Sequence, residues 1–188
     1  MATTTSTVDK PNLGSLDIDA LKEQHDVATL EIKGYELEFV LNTPKILDLE
    51  ASENPISWNS IKFNKDQSDF VPNDKRGIYA FIISDKRDFL PPNGYIMYIG
   101  IAGKNSERSL RDRYNDYFKQ SEIKARPRLR RMIAQWNELL WFHFAPVEDD
   151  FSSTDLQALE RRLITAFLPP CCKDDVESDT RRSLDAFQ

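Results

Sequence analysis

Five side chains in this 188-residue chain combine reactive chemistry with telling spacing: Tyr79, Tyr98, Arg113, Tyr117 and Glu160. A phenol donates and accepts hydrogen bonds and releases its proton near pH ~10. Tyr79 stands in Gly77-Ile78-Tyr79 and Tyr98 in Tyr98-Ile99-Gly100, each inside an apolar run. Taken singly, either tyrosine reads as a core or rim residue whose hydroxyl finds a partner. Arg113 falls three residues after Leu110 and four before Tyr117, on one helical face with both. An arginine on an apolar stripe calls for an anion, and a phosphate suits it because the planar guanidinium can hold two of its oxygens. The alternative is snorkelling, with the stem packed and the charge in water. Glu160 lies within the stripe of Leu156, Leu163, Ile164 and Phe167. A carboxylate there is costly unless paired or bound to a cation. Hard-oxygen ligation of Mg²⁺ would satisfy it, and so would an ion pair with an arginine such as Arg113.

These groups need a frame. Gly77–Ser84 and Gly94–Ile101 are apolar on both faces, as strands inside a covered sheet should be, with Asp85–Asn93 as the hairpin loop. If the strands pair, Tyr79 and Tyr98 can project from the same face, in a register the sequence leaves open. Ser106–Lys119 has helical spacing, with Asn105 or Ser106 as N-cap. Pro127 suits a first helical position, and Leu129, Met132, Ile133 and Trp136 follow on one face. Leu140–Val147 reads as a third core strand. Thr154-Asp155-Leu156-Gln157 has capping-box spacing and opens a helix that stops before Pro169.

The expected fold is α+β, a small three-stranded, mainly antiparallel sheet flanked by helices in the order β-β-α-α-β-α. Residues 1–16 read as a disordered tail and 17–74 as an acidic N-terminal extension. That extension holds a short helix or capped turn over 17–25 and a hairpin around Lys33-Gly34, with Asn42–Asn73 packing as irregular structure or short elements. The core is 75–188, ending in an amphipathic Thr180–Phe187.

Gly77-Ile78-Tyr79, Tyr98-Ile99-Gly100, Leu110-Arg-Asp-Arg-Tyr-Asn-Asp-Tyr117 and Glu160 followed by Pro169 occur in one order. Together they resemble the catalytic core of the GIY-YIG nuclease superfamily over roughly residues 75–172. The Arg-x-x-x-Tyr spacing of Arg113 and Tyr117 is similar to that in the nuclease domain of the excision-repair incision subunit. The resemblance implies metal-dependent endonucleolytic cleavage of a phosphodiester, in DNA. It gives Tyr79 the role of general base or water-orienting group, tuned by Tyr98. Arg113 would stabilise transition-state charge, Tyr117 orient water or phosphate, and Glu160 hold one Mg²⁺ or Mn²⁺. The sequence departs from the family at Cys172, twelve residues after Glu160, where many members carry a bracing asparagine. A thiol is a poor substitute for an amide that both donates and accepts.

The net charge of −6 is unevenly spread. Residues 1–70 hold 6 Lys/Arg against 13 Asp/Glu, whereas 100–145 hold 10 against 5. Local field matters more than total charge to a phosphate backbone. Lys119, Lys124, Arg126, Arg128, Arg130 and Arg131 supply this excess, and Lys104 and Asn105 follow the second motif directly; all are candidate nucleic-acid contacts. A solvated basic face is the plain alternative. His25 and His143 suggest no metal site. The two cysteines, Cys171 and Cys172, are adjacent and give neither a disulfide framework nor a metal site. With no signal peptide or membrane-spanning run, a reducing, cytoplasmic setting is expected. Two other functions fit the same residues: a nucleic-acid-binding module on this fold that has lost turnover, or a protein-interaction protein acting through residues 1–70.

Overall fold

Alternation along the strands builds two cores, one on each face of a single sheet. The computed structural model describes residues 17–26, 39–50, 56–85, 91, 93–103 and 108–175. Strand β1 is Asn59–Lys62, β2 Gly77–Ile83, β3 Tyr95–Ala102 and β4 Leu140–Pro146, ordered β1-β4-β2-β3 with every neighbouring pair antiparallel. Tyr79 lies opposite Gly100 on β3 and Phe144 on β4. Tyr79, Phe81, Phe142 and Phe144 face one way and Ile78, Ala80, Ile99, Ile101 and Ala145 the other, as the two-residue period of a strand requires.

Six α-helices cover the faces: α1 Ile18–Asp26, α2 Thr43–Glu50, α3 Leu110–Asp116, α4 Gln120–Lys124, α5 Pro127–Trp136 and α6 Ser153–Phe167. On the tyrosine face, α3, α4 and α5 bury Leu110, Tyr114, Ile123, Leu129, Met132 and Ile133, and α1 adds Leu21. On the opposite face α6 seats Leu156, Leu163 and Ile164, with α2 packed behind it.

The expectation of a three-stranded sheet with three helices in the order β-β-α-α-β-α is overturned. The sheet has four strands, and six α-helices lie among the described residues. The additional strand, β1, comes from the polar stretch Asn42–Asn73, read as irregular structure or short elements with no strand assigned. Its backbone pairs with β4, while Ile61 is its one apolar side chain packed on the core. A short edge strand of this kind is held by ladder bonds and by the residue that follows it, here the buried Phe63. Two helix starts also differ from expectation. Ser109, rather than Asn105 or Ser106, caps α3 in a reciprocal capping box with Asp112. Ser152, two residues before Thr154, caps α6. Both caps read Ser-x-x-Asp, and at α6 the Asp155 carboxylate accepts from the Ser152 hydroxyl rather than from its backbone. The hairpin around Lys33-Gly34, the tail 1–16 and Thr180–Phe187 lie outside the described residues. Among the described residues no helix is long and apolar enough to cross a membrane.

Candidate active site

The glycines of both motifs sit where a side chain would collide. A Cβ on Gly77 would run into the Ala145 carbonyl of β4. One on Gly100 would lie 2.6 Å from the Tyr79 hydroxyl oxygen and 2.9 Å from the Tyr98 ring. The phenol of Tyr79 thus crosses over Gly100, and the two motifs interlock through that absence of a side chain.

Three polar groups converge above this glycine. Tyr79 Oη lies 2.8 Å from Tyr117 Oη and accepts from Arg113 Nε at 2.9 Å. Tyr98 completes the group, its ring centroid 6.1 Å from that of Tyr79 and 6.5 Å from that of Tyr117. Phe142 stacks on Tyr79 at 5.3 Å and Phe81 meets Tyr117 edge-on at 4.7 Å, which fixes both rings. Tyr79 is completely buried, whereas the Arg113 side chain keeps 20% of its surface exposed. Of the groups that bond Tyr79 Oη, Arg113 is therefore the one with a solvent-facing edge.

The electrostatics favour protonated neighbours around one oxygen. Tyr98 is held well above the ordinary phenol range, first by charge on Tyr79, then by burial and by Cys172. Tyr117 is likewise held well above it, by burial first and then by Tyr79 and Tyr98, with Arg113 pulling the other way. Burial works against the charge of Arg113, but Tyr79, Tyr117 and Tyr98 outweigh it and hold the guanidinium above its usual value. Any negative charge that forms in the group therefore keeps Tyr98 and Tyr117 as O–H donors facing a permanent cation.

Glu160 is carried by a different element. It is half-buried on α6, whose apolar stripe seats on the sheet face opposite Tyr79. Tyr98 is the member of the tyrosine group that also packs against the α6 core. Among the described residues no three His, Cys, Asp or Glu side chains converge on a metal position. Glu160 offers one hard carboxylate, the donor type suited to a Mg²⁺ or Mn²⁺ ion that keeps most of its waters. On that chemistry it is the residue here that would hold such an ion.

Cys172 performs the bonding that its residue type makes unexpected. Its Sγ accepts from the Ile99 N–H and donates to the Ile99 C=O, both at 3.4 Å. Ile99 lies on β3, the outer strand, so the thiol satisfies the open edge beside Tyr98 with one weak donor and one weak acceptor. Cys171 is half-buried and its thiol is pushed up to about 12 by burial, with Arg128 and Arg131 opposing the rise.

The residues of the basic stretch meet several different neighbours. Arg126, preceding α5, is close enough for its charge to act on Tyr98, and it pairs with Glu122 at 3.6 Å. Lys124 and Arg130 line a cleft with Asp17, Leu21 and Gln120. Arg131 donates to Gln135, and the exposed Arg128 lies on the Cys171 side. Lys104 and Asn105 lie outside the described residues. Sequence reasoning missed Arg108 and Asp116, which meet next to Arg113. The available signal was the three-residue spacing of Arg113, Asp116 and Lys119 along one helical face. No family model, curated protein or solved structure matches this chain.

Proposed function

We propose that the chain is a metal-dependent endonuclease of the GIY-YIG type that hydrolyses phosphodiester bonds in DNA within the cytoplasm. The observation that carries this reading is the convergence of Arg113 Nε and the Tyr117 hydroxyl on Tyr79 Oη, above a glycine that leaves room for nothing else. In this reading Arg113 receives the phosphate at its exposed edge and stabilises charge that develops on the phosphoryl oxygens. Because Tyr79 is sealed, its oxygen becomes available only as Arg113 or Tyr117 swings toward the phosphate. Tyr79 then orients the attacking water, or as the phenolate takes its proton, while Tyr98 and Tyr117 remain protonated donors. Glu160 would hold the Mg²⁺ or Mn²⁺ that, when bound, aids departure of the leaving oxygen.

Nicking of supercoiled plasmid with Mg²⁺ or Mn²⁺ tests this reading, using wild type, Tyr79→Phe, Arg113→Ala and Glu160→Ala. Nicking by wild type that is abolished in all three variants is the expected result. Nicking retained by Glu160→Ala would take that residue out of the mechanism. The complete burial of Tyr79 favours one second reading, a nucleic-acid-binding module without turnover, which would give binding and no nicking by any form.

A further inference from the structure

Beside the tyrosine group, on its solvent side, lies a buried carboxylate with three cations around it. Asp116 closes α3 with 1% of its side chain exposed. Arg108 Nη2 straddles it, 2.7 Å from Oδ1 and 2.6 Å from Oδ2. Lys119 Nζ lies 2.9 Å from Oδ1, and Arg113 Nη1 lies 3.7 Å from Oδ2. Among the described residues these three cations face two carboxylates, Asp116 and the neighbouring Asp112 that also feels Arg108 and Lys119, so the cluster keeps a positive excess in a chain whose net charge is −6. A single cation would suffice to make burial of Asp116 tolerable. Arg108 and Lys119 are the accessible members, with side chains 45% and 50% exposed.

We propose that Arg108, Arg113 and Lys119, gathered on Asp116, form a cradle for a DNA backbone phosphate adjoining the one that is cut. The placement rests on the endonuclease reading, because Arg113 belongs to both sets: its Nε bonds Tyr79 while Nη1 faces Asp116. Asp116 is a positioning residue. By holding three long side chains in one place before the ligand arrives, it removes much of the ordering cost from binding. Arginine and lysine together suit a phosphate, one offering a planar fork and the other a point charge.

The test is an anisotropy titration of a fluorescein-labelled, random-sequence DNA duplex in EDTA across a salt series. Wild type, Arg108→Gln, Lys119→Gln and the double variant are compared, with Lys45→Gln on α2 as a cation outside the cradle. Both targets are exposed, and a thermal melt of each variant verifies folding. Each replacement should flatten the plot of log Kd against log salt by about 0.9, and the double variant by roughly twice that. Lys45→Gln should leave the slope unchanged. Wild-type slopes in Arg108→Gln and Lys119→Gln, or no duplex binding by wild type, overturn the cradle. Plasmid nicking separates the two ideas. Flattened slopes without nicking keep the cradle and remove the catalytic reading, and nicking with unchanged slopes does the reverse.

Discussion

At the scale of single residues, the Tyr79–Tyr117–Arg113 contact is a buried polar group whose members depend on one another. Removing one partner inside a low-dielectric core leaves the others underbonded. Tyr117→Phe should therefore lower unfolding free energy by about 1–2 kcal/mol in urea titration, and an unchanged midpoint would show that the two hydroxyls do not bond. Gly100→Ala should cost about 1–3 kcal/mol, since the methyl meets a Tyr79 ring that Phe142 stacking prevents from retreating. The same burial sets an alkaline limit. Tyr98 and Tyr117 have raised values in the folded chain against 10.0 when unperturbed, and Cys171 is raised to about 12 from 9.0. Above those unperturbed values the unfolded chain loses protons that the native chain retains. The stabilisation is therefore complete at neutral pH and disappears as pH climbs from about 9 toward the raised values. The melting temperature should stay level to about pH 9 and then fall, with a shallower decline in Tyr117→Phe. A decline of equal steepness in that variant would remove Tyr117 as a source.

At the scale of elements, the position of Arg113 depends on how α3 begins. A helix of seven residues has little intrinsic stability, and Ser109 with Asp112 satisfies its first turn from both directions. Backbone and side-chain hydrogen bonds from Ser109 also hold the Asp112 carboxyl below its usual value. Ser109→Ala should cost about 1 kcal/mol and loosen Arg113, so urea stability and nicking should fall together. Lost stability with intact nicking would mean that packing of Leu110 and Tyr114 alone places the arginine. The elements that the sequence revealed are those with a strong single signal. Gly77–Ile83 and Tyr95–Ala102 are apolar on both faces, and Pro127 opens a helix with Leu129, Met132, Ile133 and Trp136 in step. The sequence places the start of α3 too early because Asn105 and Ser106 are also good caps, and the carboxylate of Asp112 decides for Ser109. The cationic cradle was hidden for a related reason: Asp116 looks like any acidic residue on an exposed helix until Arg108 folds over it. The response of Cys172 to substitution follows from its geometry. Its Sγ already donates and accepts at Ile99, so Cys172→Asn should leave the nicking rate unimproved, and a large gain would show that the thiol braces the edge poorly.

At the scale of the whole molecule, the question is where the folding unit begins. The shift from the acidic 17–74 to the motif-bearing 75–188 reads in the sequence as a boundary. The contacts cross it. β1 pairs with β4, and the next residue, Phe63, is 4% exposed, stacked 4.7 Å from Phe118 and edge-on to Phe81 and Tyr114. Asn64 bonds the Tyr114 hydroxyl through both its N–H and its C=O. A polar strand such as Asn-Ser-Ile-Lys carries almost no hydrophobic signal, which is why the sequence concealed this dependence. Deleting a buried phenylalanine costs about 3–5 kcal/mol, and removing β1 also exposes the edge of β4. Against a total stability of about 5–15 kcal/mol for a domain, a chain beginning at residue 71 should show no cooperative melt. A chain beginning at residue 56 loses α1 and α2 yet keeps the four strands, Phe63 and the whole tyrosine group. It should melt cooperatively at a lower temperature and retain the salt dependence of duplex binding assigned to Arg108 and Lys119. Near-ultraviolet circular dichroism through a thermal ramp distinguishes the two chains. A cooperative transition in the shorter one would mean that β1 and Phe63 only decorate a sheet that stands without them.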